Sequence, residues 1–263
     1  MRSPARWRRA RPRPRRCTTL SVLRVEGIEV RFGGVTALAG VDLDAAAGRV
    51  TGLIGPNGAG KTTLFNVITG LQAPTAGRVY LDDQDITVRK PHQRARLRIA
   101  RTFQRLEVFG SLTTRENIMV AAEIRSGWSK EKVDARAVTD EVLDTVGLER
   151  QADQRVDTMP TGLARLVELG RALATAPRLL LLDEASSGLT STETDFMAGL
   201  LRRLSAAGLA VLLVEHDIEF VMSLCTKIHV LDFGKLIAVG TPKEIQKNKA
   251  VQAAYLGSEG DAA

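Results

Sequence analysis

Residues 55–63 read GPNGAGKTT and directly follow the apolar run VTGLI at 50–54. A buried strand, a glycine-rich turn and a helix in immediate succession form the setting in which such a turn wraps a polyphosphate. The loop spans Gly55, Pro56, Asn57, Gly58, Ala59, Gly60, Lys61, Thr62 and Thr63. Its glycines let the backbone approach phosphate oxygens with no Cβ in the way. Its N–H groups, with the N-terminus of the helix that begins at Lys61, face negative charge. Lys61 is placed to reach the β- and γ-phosphates, and Thr62 to set its hydroxyl on Mg²⁺. A flexible glycine-rich turn is the alternative, and the flanking strand and helix argue against it.

The 263 residues suffice for one large α/β domain, or one with an inserted subdomain. No apolar run approaches the ~20 residues that a membrane-crossing helix needs. Net charge is +7, but eight arginines (2, 6, 8, 9, 11, 13, 15 and 16) lie in residues 1–16, which hold no acid. The rest carries 29 basic and 30 acidic residues, a balance of −1 that gives no case for a nucleic-acid partner. Residues 1–20 are expected to form a disordered, Arg-rich tail. It reads as a start assigned too far upstream, a basic arm for anionic lipid or RNA, or a targeting peptide, and the first is favoured. No apolar stretch follows the arginines, which argues against a secretory signal. Cys17 and Cys225 form no disulfide framework or metal-spacing cluster and fit a reducing cytosol, with Cys225 expected in the core.

Alternation over 28–32 and 35–43 predicts two half-buried strands turned by Gly33 and Gly34. Strands are also predicted at 50–54 and 78–81. Together these give an antiparallel β layer beside one strand–loop–helix unit. Residues 91–160 change character. A helix is expected at 91–99, a short strand or turn at 101–104, and a helix at about 114–125 opened by the capping box Thr113/Glu116. Val138, Val142 and Val146 mark a further helical stripe in 131–146. This stretch reads as an inserted helical subdomain within a domain spanning 21–263. Leu163, Leu166, Val167, Gly170 and Leu173 trace one face of the next helix. The strand at 178–183, a helix near 193–206, strands at 209–214, 227–231 and 236–239, and a helical stretch from Pro242 complete the pattern.

Two continuous apolar strands end in charge: LLLL runs into Asp183 and Glu184, and LLV into Glu215, His216 and Asp217. Continuous apolar strands belong to parallel sheets covered on both faces, where ligands lie beyond the carboxyl ends. The phosphate-loop strand ends at the same rim. Asp183 therefore suits water-mediated Mg²⁺ coordination, and Glu184 suits polarising a water for in-line attack. Solvated acids at a strand end are the plain alternative, which the upstream phosphate loop disfavours.

The order GPNGAGKTT, RTFQ, a G-x-x-R-x-x-x-x-x-RAL helix, LLLLDEASSGL and VEHD resembles the nucleotide-binding subunit of ABC transporters over about residues 22–256. Within that family the chain looks most like the ATPases of branched-chain amino acid importers, through IARTFQ, VFGSLTTRENIMVAA and the C-terminal stretch ending in Tyr255-Leu256-Gly257. The resemblance implies a P-loop NTPase fold of ABC ATPase type: a parallel-sheet core, an N-terminal antiparallel β layer and an inserted helical subdomain. It implies ATP and Mg²⁺ as ligands and ATP hydrolysis as the reaction. Phe32 matches the aromatic that stacks on adenine, an ordinary core aromatic being the alternative. Gln104 matches the glutamine that touches Mg²⁺ and the attacking water. Asp183 matches the metal-side carboxylate, Glu184 the catalytic base and His216 the histidine that contacts the γ-phosphate. The implied partners are a second ABC ATPase subunit, identical or not, two integral membrane permeases and, indirectly, an extracytoplasmic solute-binding protein. The implied place is the cytoplasmic face of the cell membrane.

The departures fall in one place. The family's Leu-Ser-Gly-Gly-Gln signature, which works on the partner's ATP, is Met159-Pro160-Thr161-Gly162-Leu163 here. The serine hydroxyl and the glutamine amide are absent, and Thr161 is one residue off register. Ala185 stands where proline is usual, and Thr190 where Asp or Asn is common. An asymmetric heterodimer fits this pattern. A weakly hydrolysing regulatory subunit and a non-transport ABC ATPase are the alternatives.

Overall fold

The computed structural model describes residues 21–257, so the expectations for residues 1–20 and Cys17 lie outside the described residues. A four-stranded antiparallel sheet has the order β2-β1-β4-β5, formed by β1 (Ser21–Phe32), β2 (Val35–Ala46), β4 (Ala76–Leu81) and β5 (Gln84–Asp85). A six-stranded sheet has the order β10-β9-β3-β8-β7-β6. Its parallel strands are β3 (Val50–Ile54), β6 (Ile99–Arg101), β7 (Leu179–Asp183), β8 (Ala210–Val214) and β9 (Lys227–Asp232), and β10 (Lys235–Gly240) closes the edge antiparallel to β9.

The continuous apolar strands are explained by the two cores they separate. Ile54, Leu180, Leu182, Val211 and Leu213 face a cluster built with α5 (Thr161–Ala174), α6 (Ser191–Ala206) and α7 (Ile218–Leu224). Leu53, Leu179, Leu181, Leu212 and Val214 face the other way, onto α1 (Lys61–Thr69) and the antiparallel sheet. Every residue of β3, β7 and β8 is buried, as a parallel sheet covered on both faces requires. Cys225 is buried here, and burial pushes its thiol up to about 12.

Within 91–160 the helical part is α3 (Thr114–Trp128) and α4 (Ala135–Val146), which pack on α5. The flanking pieces belong to the core. In α2 (Pro91–Arg96) the buried Arg94 donates to the carbonyls of Val67 and Ile68, satisfying the end of α1. Strand β6 pairs in parallel with β7, and three residues are too few to show a strand period in sequence. Helix α3 starts at its expected capping box, Thr113 with Glu116. Helix α4 starts later than 131 because Asp134 caps the amides of Arg136 and Ala137. Two short helices, α8 (Pro242–Gln246) and α9 (Lys249–Gly257), end the described chain.

Candidate nucleotide site

The phosphate loop leaves β3 through Gly55, whose φ of 153° brings it onto the neighbouring strand. A Cβ there would lie 2.0 Å from the Leu231 carbonyl oxygen, so only glycine fits. Helix α1 begins after Gly60 in left-handed backbone, with no side-chain cap and no acid in its first turn. Its first amides are left for an external acceptor. Lys61 is buried and folds its ammonium into the loop, donating to the carbonyls of Gly55 at 2.6 Å and Pro56 at 2.8 Å. Burial lowers its pKa, and the nearby Glu184 and Asp183 oppose that shift. Asn57, Gly58 and Thr62 are exposed, Pro56, Gly60 and Thr63 half-buried, and Ala59 buried.

The two strand ends meet as expected. Asp183 ends β7 and is buried. Glu184 follows with a φ of 53°, a left-handed backbone that non-glycine residues adopt at a cost. Two hydrogen bonds from its turn to the end of β8 hold it there. Its own amide donates to the Val214 carbonyl at 2.9 Å, and the Ser186 amide donates to the Glu215 carboxylate at 2.7 Å. Glu215 is buried, and burial raises its pKa.

The turn delivers the Glu184 carboxylate between two other candidates. Oε2 accepts from the Gln104 amide nitrogen at 3.0 Å, and Oε1 lies 2.7 Å from His216 Nε2. Three residues from three segments, separated by 80 and 32 positions, therefore form one cluster. Phe32 ends β1 and is 51% exposed, so it is no core aromatic. Its hairpin touches the phosphate loop: a Cβ on Gly60 would lie 2.8 Å from the Ala37 carbonyl oxygen.

Among the described residues, no three His, Cys, Asp or Glu side chains gather to hold a metal by themselves. One carboxylate with hydroxyl and amide oxygens, Asp183 with Thr62 and Gln104, fits a hard cation shared with substrate phosphates. With its nitrogen on Glu184, the Gln104 amide keeps its oxygen for such a role.

The signature segment opens α5. Pro160 is the N-cap residue and offers no side-chain cap. Thr161 is exposed, Gly162 buried, and Leu163 packs against the larger core. A Cβ on Gly162 would fall 2.2 Å from a Glu193 carboxylate oxygen, the end of the side chain that bonds the Thr190 cap. Thr190 spends its hydroxyl at home, accepting from the Glu193 amide at 3.3 Å as the cap of α6 and donating to the Glu193 carboxylate at 2.9 Å.

Four residues of the site's frame have partners that no sequence pattern shows. Arg101 donates to Asp183 Oδ2 at 2.7 Å and to Asn66 Oδ1 at 2.7 Å, with Phe103 stacked 4.8 Å from its guanidinium. Glu215 holds the turn after Glu184. Arg165 and Glu168 are buried charges on α5; Arg165 stands in the G-x-x-R helix motif, but neither its burial nor its partners show in the sequence.

The chain is similar to known proteins over most of its length. Residues 38–187 match the ABC transporter domain family, and residues 235–261 match the C-terminal segment of branched-chain amino acid ATP-binding cassette transporters. The high-affinity branched-chain amino acid transport ATP-binding protein BraF of Pseudomonas aeruginosa is 38% identical over 90% of this chain and 98% of its own length. The lipopolysaccharide export system ATP-binding protein LptB of Escherichia coli is 32% identical over 91% of this chain and 99% of its own. A crystal structure of an ATP-binding cassette of an ABC transporter in its ADP conformation superposes with a TM-score of 0.82 at 31% identity. It covers 91% of this chain and all of that one.

Proposed function

The chain belongs to the ATP-binding subunits of ABC transporters, and from that premise we propose that it powers uptake of branched-chain amino acids or related small polar solutes. It is an ATPase of that family, with the family's fold. The import reading rests on the C-terminal match at 235–261 and on the likeness to BraF; the likeness to LptB is to an export protein and leaves the solute to experiment.

One observation carries the mechanism: the Glu184 carboxylate is held between the Gln104 amide and the His216 imidazole at the rim of the phosphate loop. On this reading, nucleotide phosphates take over the α1 amides and draw the Lys61 ammonium from the Gly55 and Pro56 carbonyls. Phe32 offers its exposed ring to adenine. Thr62, Asp183 and Gln104 would hold Mg²⁺, which supplies charge neutralisation at the phosphates when bound. Glu184 orients the attacking water and takes its proton. His216 supports that carboxylate and reaches the γ-phosphate.

The segment 160–163 would serve the ATP of a second ABC ATPase subunit packed head-to-tail. Two membrane permeases would receive the motion through the Gln104 region and the α3–α4 helices, and a solute-binding protein would deliver cargo. Among the described residues no helix is long and apolar enough to cross a membrane, so on this reading the chain sits on the cytoplasmic face through those permeases. The domain would comprise residues 21–263 with the helical insertion between.

The test is uptake of radiolabelled leucine by cells lacking the chain's gene. Uptake should fall on deletion and return with the wild-type chain but not with Lys61→Ala. Unchanged leucine uptake in the deletion would overturn the solute assignment.

A further inference from the structure

Helix α5 carries two buried charges that the reading above leaves without a task. Arg165 is 7% and Glu168 5% exposed, and they pair at 3.1 Å. The pair is built around a loop rather than around itself. Arg165 Nη1 donates to the Phe103 carbonyl at 2.9 Å, and Nη2 donates to the Gln104 carbonyl at 2.6 Å. Glu168 Oε1 accepts from the Phe103 amide at 3.2 Å. Three bonds thus grip the main chain of two consecutive residues, across three peptide units. The fork of one guanidinium spans both carbonyls, a geometry that a lysine ammonium cannot reproduce. Burial raises the Glu168 pKa, while Arg165 and the Phe103 amide oppose that shift. Charges sunk in a core are kept without cost to stability only when their bonds are well made, and an apolar pair would serve packing alone as well.

The placement of this grip is informative. Arg165 lies one turn inside the helix whose first residue, Thr161, is exposed. The gripped residue Gln104 sends its side chain to Glu184 Oε2. A continuous path therefore runs from the start of α5, through Arg165 and Glu168, into the Gln104 backbone and on to the Glu184 carboxylate.

We propose that Arg165 and Glu168 are positioning residues that lock the Phe103–Gln104 main chain to α5. A shift of the 160–163 segment on engaging a neighbouring nucleotide then moves the Gln104 amide relative to Glu184. The inference rests on the roles given above to Gln104 and Glu184. It predicts that the pair acts on turnover through Gln104 and leaves nucleotide binding alone.

The experiment is a double-mutant cycle in the full-length chain. ATP affinity is read with a fluorescent ATP analogue and turnover by phosphate release. Arg165→Met should lower kcat about tenfold or more while the ATP Kd stays within about twofold. In a Gln104→Ala background the same change should cost less than about twofold further. Arg165→Lys keeps the buried charge but loses the fork, so it gives a second route should the Met variant fold poorly. Its loss should be smaller and equally absent in the Gln104→Ala background. Glu168→Gln keeps an acceptor for the Phe103 amide and should lose less than Glu168→Leu. Losses that multiply in the double variants, or an ATP Kd that rises in step with the fall in kcat, would overturn the positioning role. Full turnover in Gln104→Ala alone would overturn the underlying site reading, and this inference with it.

Discussion

Two rims of the molecule differ in what they leave available. Around the chain's own phosphate loop, polar side chains converge: Lys61, Asp183, Glu184, Gln104 and His216 come from four segments and contact the loop, its frame or each other. At the segment 160–163 and the neighbouring Thr190, polar side chains are fewer: within the segment, Thr161 alone is exposed with a hydroxyl. Leu163 packs into the core, and the Thr190 hydroxyl caps α6. One property is nonetheless shared. Helices α3, α4 and α6 are capped by Thr113, Asp134 and Thr190, and Asn248 caps α9. Among the described helices of eight or more residues, α1 and α5 are left without a side-chain cap. Both retain unsatisfied amides and a positive dipole end, which suit an anion. The first rim adds side chains to this backbone device, whereas the second relies on the backbone.

The largest effect expected from that contrast is at Glu184. Glu184→Gln should keep ATP binding and lose turnover by about 10²-fold or more, while trapping an ATP-bound dimer. Single-turnover phosphate release measures it, and full turnover would remove Glu184 from the centre of the first rim.

The contrast itself breaks or stands on a pair of complexes. If the second ATPase subunit differs from this chain, Glu184→Gln here should impair transport much more than the equivalent change in the partner. The first rim is complete, and what this chain lends its partner is not. Equal losses would show that the α5 amides with Thr161 and Gly162 suffice.

A smaller effect is expected at Lys61. Lys61→Ala should weaken ATP binding by about 1.5–3 kcal/mol, the range of a hydrogen bond to a charged group, measured by calorimetry. Because burial lowers the pKa of this ammonium, ATP affinity should also decline as pH rises through that lowered value. Lys61→Arg, which stays charged, should flatten the decline.

The smallest effect sharpens the second rim. Pro160→Ser supplies the missing cap to α5 and should raise stability by about 0.5–1 kcal/mol in a denaturant titration. ATP affinity at the chain's own loop should not move. A change there would mean that the two rims communicate within one chain even before a partner engages.

The phosphate loop, the strand ends at Asp183 and Glu215 and the capping box at Thr113 could be read in the sequence because each is a local pattern. A strand period, a glycine spacing or a cap spans fewer than about ten residues, and its physical cause lies within that span. The gathering of the phosphate loop, Glu184 and His216 at one rim was also legible, since parallel strands place their carboxyl ends together, whereas Gln104 came only from the family resemblance. Tertiary structure alone decided the rest. Arg101 meets Asp183 across 82 positions, Arg165 meets Gln104 across 61, and Glu215 meets Ser186 across 29. A buried charge carries no period of its own, and its partner is whichever peptide or carboxylate the packed helices bring within reach. The left-handed turn at Glu184 is of the same kind. Nothing in the run Asp183-Glu184-Ala185 requires it; two hydrogen bonds from the end of β8 hold it in place.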